Sequence, residues 1–401
     1  MQLSINVNGF RNEILFFKKF RWLFLLLFIS LFAGCKKDKA VDSNNPLIVE
    51  GSTLKKGTTP ATVSIFYDGP NHTGLNNPRG LKFGPDGNLY VAEGGTGGSN
   101  STVGSGCTQV PLPVGPYLGS NTGAGISMIT PSGIRTVITN RFPSSQANEL
   151  IGGDVEGVAD VAFIGNTMYA LLAGGGCSHG VPTIPNGVYR INPDRSYTLV
   201  ANLSLWLQSH PVLHPEPDDF EPDGTPYSMI EVHNNLYVVE PNHGDLIKIT
   251  TDGNITRVVD VSASQGHIVP TALAYHGNFF LGNLNTFPIV DGSSKILKIT
   301  PSGELKVWVT GLTTVLGLVI DKHDNMYVLE STVHSPSGFP TPGHGQIVRI
   351  DHKGDQEIIA TGLSLPTGRT MGPDGNLYVS NWGFGPPAIG GGQILKVTLN
   401  N

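Results

Sequence analysis

Apolar and polar residues alternate in short runs along most of this chain, and the runs recur as a unit. Each unit has a short apolar segment, a tight turn of Asp, Asn and Gly, and a second segment carrying an aromatic residue. Runs of this length bounded by turn formers predict β-strands joined by hairpins. The clearest copy reads Pro78-Arg79-Gly80-Leu81-Lys82-Phe83, then the turn Gly84-Pro85-Asp86-Gly87-Asn88, then Leu89-Tyr90-Val91-Ala92-Glu93. Near the C-terminus, Pro366 to Met371, Gly372-Pro373-Asp374-Gly375-Asn376 and Leu377-Tyr378-Val379-Ser380-Asn381 repeat it. Four divergent copies lie between, anchored on Tyr169, Tyr237, Phe280 and Tyr327.

From Tyr90 to Tyr378 the anchors stand 79, 68, 43, 47 and 51 residues apart. The last three spacings match the ~40–50 residues of a four-stranded propeller blade; the first two carry extra loop. A third strand follows each anchor: 125–129, 187–191, 246–249, 295–299, 346–350 and 393–397. A fourth follows in five copies: 136–139, 197–201, 256–261, 305–309 and 356–360. The sixth copy ends after its third strand. Upstream of the first copy, Thr62-Val63-Ser64-Ile65-Phe66-Tyr67 is a strand without a hairpin partner. It can complete the sixth blade and remove a free sheet edge. The expectation is an all-β fold: a six-bladed β-propeller over residues 61–401, its sixth blade closed by the N-terminal strand near 62–67. Two β-sandwiches would leave the common motif unexplained.

In such a ring the first strand of each blade lines the central channel. The turns between first and second strands are all short and share one face. The opposite face receives the long insertions, 94–122, 140–157, 202–226, 331–344 and 382–391. Long loops in a compact domain usually carry function or are disordered. Their concentration on one face places a binding site there.

Composition sharpens this picture. The 52 glycines and 29 prolines make up about a fifth of the 401 residues, and charged residues only 14%. That excludes a coiled coil, a helical bundle and a charged disordered chain. The net charge of −6 argues against a nucleic-acid partner held by phosphate neutralisation. Arg11, Lys18, Lys19 and Arg21 precede an apolar run from Trp22 to Phe32, too short to span a bilayer. The run ends in Ala33-Gly34-Cys35, which resembles the lipobox of bacterial lipoproteins. Residues 1–34 are therefore read as a signal peptide, Cys35 as the lipidated residue and 35–60 as a flexible tether. Without residues 1–34 the net charge becomes −9, since four basic residues and one acidic residue are lost. The expected location is outside the cytoplasm, with membrane contact through the lipid alone. Export makes a disulfide between Cys107 and Cys177 chemically feasible.

The last residue of each second strand is Glu93, Leu172, Glu240, Asn283, Glu330 or Asn381. Five of the six offer oxygen. Such side chains either tie loops through backbone hydrogen bonds or ligate one divalent cation, Ca, Mg, Mn or Zn. Six-bladed propellers of the gluconolactonase and senescence-marker type, which this repeat resembles in fold, hold a catalytic divalent metal with Glu, Asn and Asp. His179, His243, His267 and His344 lie in the same loops. Glu240-Pro241-Asn242-His243-Gly244 groups an acid, an amide and an imidazole. The stretch Pro215 to Asp223 is acidic and Pro-stiffened, either a site for a cation or a basic group or a solvated linker. No GxSxG, HExxH, P-loop or EF-hand spacing occurs, and nothing marks a Ser or Cys nucleophile.

Several longer phrases resemble the ScyD/ScyE family, named from scytonemin pigment biosynthesis. They are Gly80 to Gly95, Cys107 to Tyr117, Gly157 to Val181, Glu216 to Gly224, Glu240 to Gly244, Gly266 to Pro288 and Pro366 to Gly385. The resemblance implies an exported propeller related to NHL-type repeats, and it supplies no catalytic residues. Three functions remain open: a monomeric binding module for a small molecule, glycan or envelope protein; a metal-dependent hydrolase or lactonase; and a structural envelope protein.

Overall fold

The computed structural model describes residues 61–69, 74–148, 154–217, 220–383 and 391–400, all within the compact unit Pro46–Asn401. The leader 1–34, Cys35 and the tether 35–60 lie outside the described residues. Six antiparallel sheets form a six-bladed β-propeller.

Blade one contains β2 (Pro78–Phe83), β3 (Leu89–Glu93), β4 (Leu118–Ile129), β5 (Arg135–Gln146) and β6 (Val155–Glu156). Blade two runs from β7 (Val158–Ile164) through β8 (Thr167–Leu172) and β9 (Gly187–Ile191) to β10 (Tyr197–Asn202). The first strands of blades three to six are β11 (Ser228–Val232), β15 (Pro270–His276), β19 (Val315–Ile320) and β23 (Gly368–Met371). The sixth blade orders β1 (Thr62–Tyr67), β25 (Gln393–Thr398), β24 (Leu377–Asn381) and β23. Its closing pairs run from Thr62↔Thr398 to Tyr67↔Ile394.

The recurrent turn has a simple physical basis. Asp86, Asp321 and Asp374 each accept the phenolic O–H of the following anchor, Tyr90, Tyr327 or Tyr378, at 3.0–3.1 Å. Each Asp also caps backbone N–H groups of its own turn. In these three blades the aromatic anchor and the Asp of the turn are therefore one bonded device, which explains why they recur together.

The core is a set of apolar clusters, one at each junction between neighbouring blades. Tyr169, Leu171 and Val188 of blade two meet Met229, Leu236 and Ile247 of blade three. Corresponding clusters join blades one and two, three and four, four and five, and five and six. The last, with Tyr67, Leu81, Leu89 and Ile394, joins six to one and so closes the ring. Each fully buried Leu or Ile contributes about 1.5–3 kcal/mol by leaving water.

Two of the expected long loops prove to be partly strand. Residues 118–124 extend β4 and residues 140–146 extend β5, paired from Leu118↔Gln146 to Ala124↔Phe142. Residues 155–156 add a fifth strand, with Ser145 opposite Glu156. The segment Gly119-Ser120-Asn121-Thr122-Gly123 carries no alternation of apolar side chains, so its backbone pairing leaves no period in the sequence. The 202–226 connection contains a short helix, α1 (Leu203–Ser209), whose first turn is capped by Asn202 accepting the Leu205 N–H at 2.9 Å.

Candidate functional site

The five oxygen-bearing residues at the ends of the second strands occupy the repeat position expected of them, and all are buried. Each is spent on its own blade. Glu93 accepts the Asn76 N–H at 2.8 Å and pairs with Arg135 at 2.8 Å. Glu240 accepts the N–H groups of Thr225 at 2.8 Å and His243 at 2.6 Å. Glu330 accepts the Thr313 N–H and the Gln346 side-chain amide. Asn381 accepts the Ser364 N–H and donates to Gln393. Asn283 donates to the Ile268 carbonyl and accepts the Lys295 N–H. The shared geometry ties the segment leading into the first strand to the third strand, the turn before it or, for Glu93, the start of the fourth strand. Blade two, with Leu172, lacks this tie.

This arrangement does not fit one cation held by the ring. The ligand oxygens already accept hydrogen bonds. Among the described residues no group of three or more His, Cys, Asp and Glu side chains is placed to hold a metal ion. In this structure the candidate metal set Glu93, Glu240, Asn283, Glu330 and Asn381 serves as blade ties. Burial raises Glu330 to about 7, against the lowering effect of its Gln346 and Thr313 hydrogen bonds.

The loops of the same face converge on a second cluster. Cys107 and Cys177 form a disulfide across 70 residues of chain. The next two residues, Ser178 and His179, are fully buried. Ser178 donates its hydroxyl to Asp223 at 2.7 Å, and its backbone N–H does the same. His179 lies 3.2 Å from Glu221 through Nε2 and 3.2 Å from Ser178 Oγ through Nδ1. Tyr117 packs against His179 with the rings tilted and their centroids 4.6 Å apart, and donates to Glu221 at 3.1 Å. From blade three, His243 Nε2 meets the Glu221 carbonyl at 3.0 Å and Asn242 Oδ1 accepts the Glu221 N–H at 2.7 Å.

The Glu–His–Ser sequence of contacts resembles a hydrolytic relay, but Ser178 is sealed from solvent and directs its proton to Asp223. The cluster is a keystone that locks loops from three blades. Glu221 and Asp223 of the acidic stretch are buried in this keystone and not solvated; Asp218 and Asp219 lie outside the described residues. His267 is half-buried in the connection leading to blade four. His344 bonds the Val333 carbonyl at 3.0 Å.

More open polar groups stand at the channel mouth. Asp154 and Glu156 directly precede β7, and Tyr227 directly precedes β11, so the topology places all three at the loop-rich end of the channel. Arg79, the second residue of β2, is 3% exposed and lies 3.1 Å from Asp154 and 3.8 Å from Glu156, which keep 13% and 15% exposure. Its guanidinium also donates to the Val155 carbonyl. Burial alone would lower the Arg79 pKa, but the two carboxylates overcome it and raise it. Burial pushes Glu156 up to about 8; Arg79 opposes this, while Asp154 and Glu221 add to it. Two carboxyls, one guanidinium and the Tyr227 phenol thus offer both donors and acceptors near neutral pH.

The channel also holds a cavity of about 380 Å³, lined by all six first strands and reaching the short-turn face at His233 and Tyr275. Four charged residues line it: Lys82, Asp160, Glu231 and Arg369. Asp160 accepts the Met229 and Val161 N–H groups, each at 2.8 Å. Burial raises it to about 6 against those bonds and the nearby cations. Arg369 reaches across the channel to the carbonyls of Leu273 and Leu318. Glycines make room for these side chains. A Cβ at Gly80 would lie 2.0 Å from Asp160 Oδ1, and one at Gly317 would lie 2.1 Å from Arg369 Cδ. Sequence reasoning placed the site on the long loops and passed over these residues. The signal was present: charges interrupt first strands that are otherwise apolar or small.

No protein-family model matches the chain, and no curated protein matches it either. Solved structures do. A structural-genomics protein of unknown function from Bacteroides thetaiotaomicron is 12% identical, with a TM-score of 0.52 over 85% of this chain and 76% of its own. A Thermus thermophilus protein assigned as an oxidoreductase (glucose dehydrogenase) is 16% identical, with a TM-score of 0.50 over 84% and 99%. A gluconolactonase from Xanthomonas campestris is 10% identical, with a TM-score of 0.49 over 89% and 100%. At these identities the likeness concerns the six-bladed fold, and the ScyD/ScyE resemblance rests on the quoted phrases alone.

Proposed function

We propose that this chain is an exported, lipid-anchored propeller of ScyD/ScyE type whose loop-rich face binds a glycan or a comparable polyhydroxylated small molecule, with Asp154, Glu156, Arg79 and Tyr227 reading its hydroxyl groups. One observation carries the reading. On that face Asp154 and Glu156 keep access to solvent at the channel mouth, while the other candidate acids are spent on ties and on the keystone. A carboxyl pair beside a guanidinium and a phenol suits vicinal hydroxyls, which both donate and accept. The disulfide and the keystone favour binding by holding the face rigid in advance. The leader and Cys35 support export and anchoring, and a monomer suffices for such a site.

A glycan array probed with the purified protein tests this. Binding that falls about 10-fold or more in Asp154→Asn and Glu156→Gln variants is the expected result. An empty array, or variants that bind unchanged, overturns the glycan assignment. Elemental mass spectrometry on protein purified without chelator addresses the metal-dependent lactonase. Close to one Ca, Mg, Mn or Zn per chain would restore that reading, and lactone turnover would then be the assay to run.

A further inference from the structure

The short-turn end of the channel carries a second arrangement that the loop-face reading does not use. The first strand of each blade is the inner edge of its sheet, so free backbone N–H and C=O groups face the channel and make its lining mostly polar. Four charged side chains from four blades share this space: Lys82, Asp160, Glu231 and Arg369. The two signs balance, yet among the described residues neither cation forms an ion pair with either carboxylate. The fold holds them apart. Arg369 runs over Gly317 to the carbonyls of Leu273 and Leu318, on blades four and five. Asp160 is fixed on the other side, between Gly80 of blade one and the Met229 N–H of blade three. Glu231 also belongs to blade three and accepts one hydrogen bond, from the Asn234 N–H at 2.7 Å. Lys82 makes no hydrogen bond or ion pair with any described residue, and the buried Arg369 Nε has no hydrogen-bond partner.

We propose that this cavity binds a free amino acid, its carboxylate bridging Lys82 and the Arg369 Nε–H and its ammonium directed to Glu231 and Asp160. A zwitterion is the solute that meets both signs at once. A simple anion or cation would satisfy one set and be repelled by the other. A neutral sugar would leave all four charges without a counter-charge, so the ligand differs in class from that of the loop-rich face. Edge carbonyls are at hand for the remaining ammonium protons. The volume of about 380 Å³ falls in the range of small-molecule sites, roughly 300–1,000 Å³. The polar lining favours a short or polar side chain. Burial works against the charges as they stand: it lowers the pKa of Lys82, brings Arg369 to about 10 and raises Asp160 to about 6. A bound solute that sets an opposite charge beside each offsets that cost.

The test is titration calorimetry of the full-length protein with L-alanine and L-glutamine. Beside them run the N-acetyl form of each, which lacks the ammonium, and the amide form, which lacks the carboxylate. At least one amino acid should bind, and its two blocked forms should bind at least about 10-fold more weakly. Lys82→Met and Glu231→Gln should each weaken the amino acid by at least about 10-fold, while Lys82→Arg should retain it. Lys82 has no partner to lose, and Glu231→Gln keeps an oxygen for the Asn234 N–H. Thermal melting of both variants should therefore match the parent and separate lost binding from lost folding. No amino-acid binding up to millimolar concentration overturns the proposal. So does equal affinity for a blocked form, or undiminished binding by a folded Lys82→Met or Glu231→Gln. Variants at Asp154 and Glu156 should leave amino-acid binding unchanged, so this site and the loop-face site can fail separately.

Discussion

Glu240 separates a structural tie from a metal ligand. Its carboxylate is fully buried and accepts short hydrogen bonds from Thr225 at 2.8 Å and His243 at 2.6 Å, and a longer one from Asn242 at 3.4 Å. A hydrogen bond to a charged group contributes about 1.5–3 kcal/mol. Losing both short bonds in Glu240→Ala should therefore cost about 3–6 kcal/mol, because two buried N–H groups are left without acceptors. Glu240→Gln keeps one oxygen but turns an amide NH2 toward a neighbouring N–H, so about 2–3 kcal/mol is expected. In a domain of this size 1 kcal/mol moves Tm by roughly 2 °C. The alanine variant should melt roughly 6–12 °C below the parent and the glutamine variant roughly 5 °C below. Calorimetric melting at neutral pH, with and without added Ca, Mg, Mn or Zn, measures this. Glu304→Ala is the control, since that side chain is exposed and its loss should cost less than about 0.5 kcal/mol. A Glu240→Ala protein that melts within about 1 °C of the parent and has lost a bound cation would refute the tie and reinstate the metal ring.

Three further outcomes are expected. Glu156, Glu330 and Asp245 have folded pKa values raised to about 8, 7 and 7, above their unfolded values, chiefly by burial. Their contribution to stability is complete below about pH 4 and is lost as pH rises through those values, so Tm should fall between about pH 5 and 8. Glu156→Gln should flatten that slope, by at most about 5 kcal/mol across the window; a slope unchanged in the variant would show that Glu156 does not carry it. Replacing Cys107 and Cys177 by Ser removes a cross-link spanning 70 residues and should cost about 4 kcal/mol in denaturant titration; equal midpoints would deny the bridge a role. Deleting residues 61–69 exposes the β25 edge, so size-exclusion chromatography should show association or aggregation; a monomeric product of undiminished stability would contradict ring closure by β1.

The blade count, the short-turn chemistry and the closing strand were all legible along the chain because each is a local pattern. An Asp-Gly-Asn turn followed by a Tyr four residues after the Asp is a bonded unit in the structure, and its recurrence can be counted without coordinates. The unpaired strand at 62–67 and the missing strand after 397 could likewise be matched by subtraction. The extended arms of β4 and β5 escaped notice because backbone pairing of Gly, Ser, Asn and Thr leaves no apolar period.

The candidate site was legible only as positions. Glu93, Glu240, Asn283, Glu330 and Asn381 stand where the repeat places them, but a carboxylate reads the same whether it awaits a cation or accepts a backbone N–H. Which applies depends on groups 15–17 residues away that fold back onto it. The keystone is more distant still: Glu221 meets Tyr117 across 104 residues. Lys82, Asp160 and Arg369 come from blades one, two and six, and only closure of the ring brings them to one cavity. Local bonding is written in neighbouring residues, and so the sequence by itself determined the blades. Burial, charge and hydrogen-bond satisfaction at the sites depend on contacts between distant segments, and these only the tertiary structure decided.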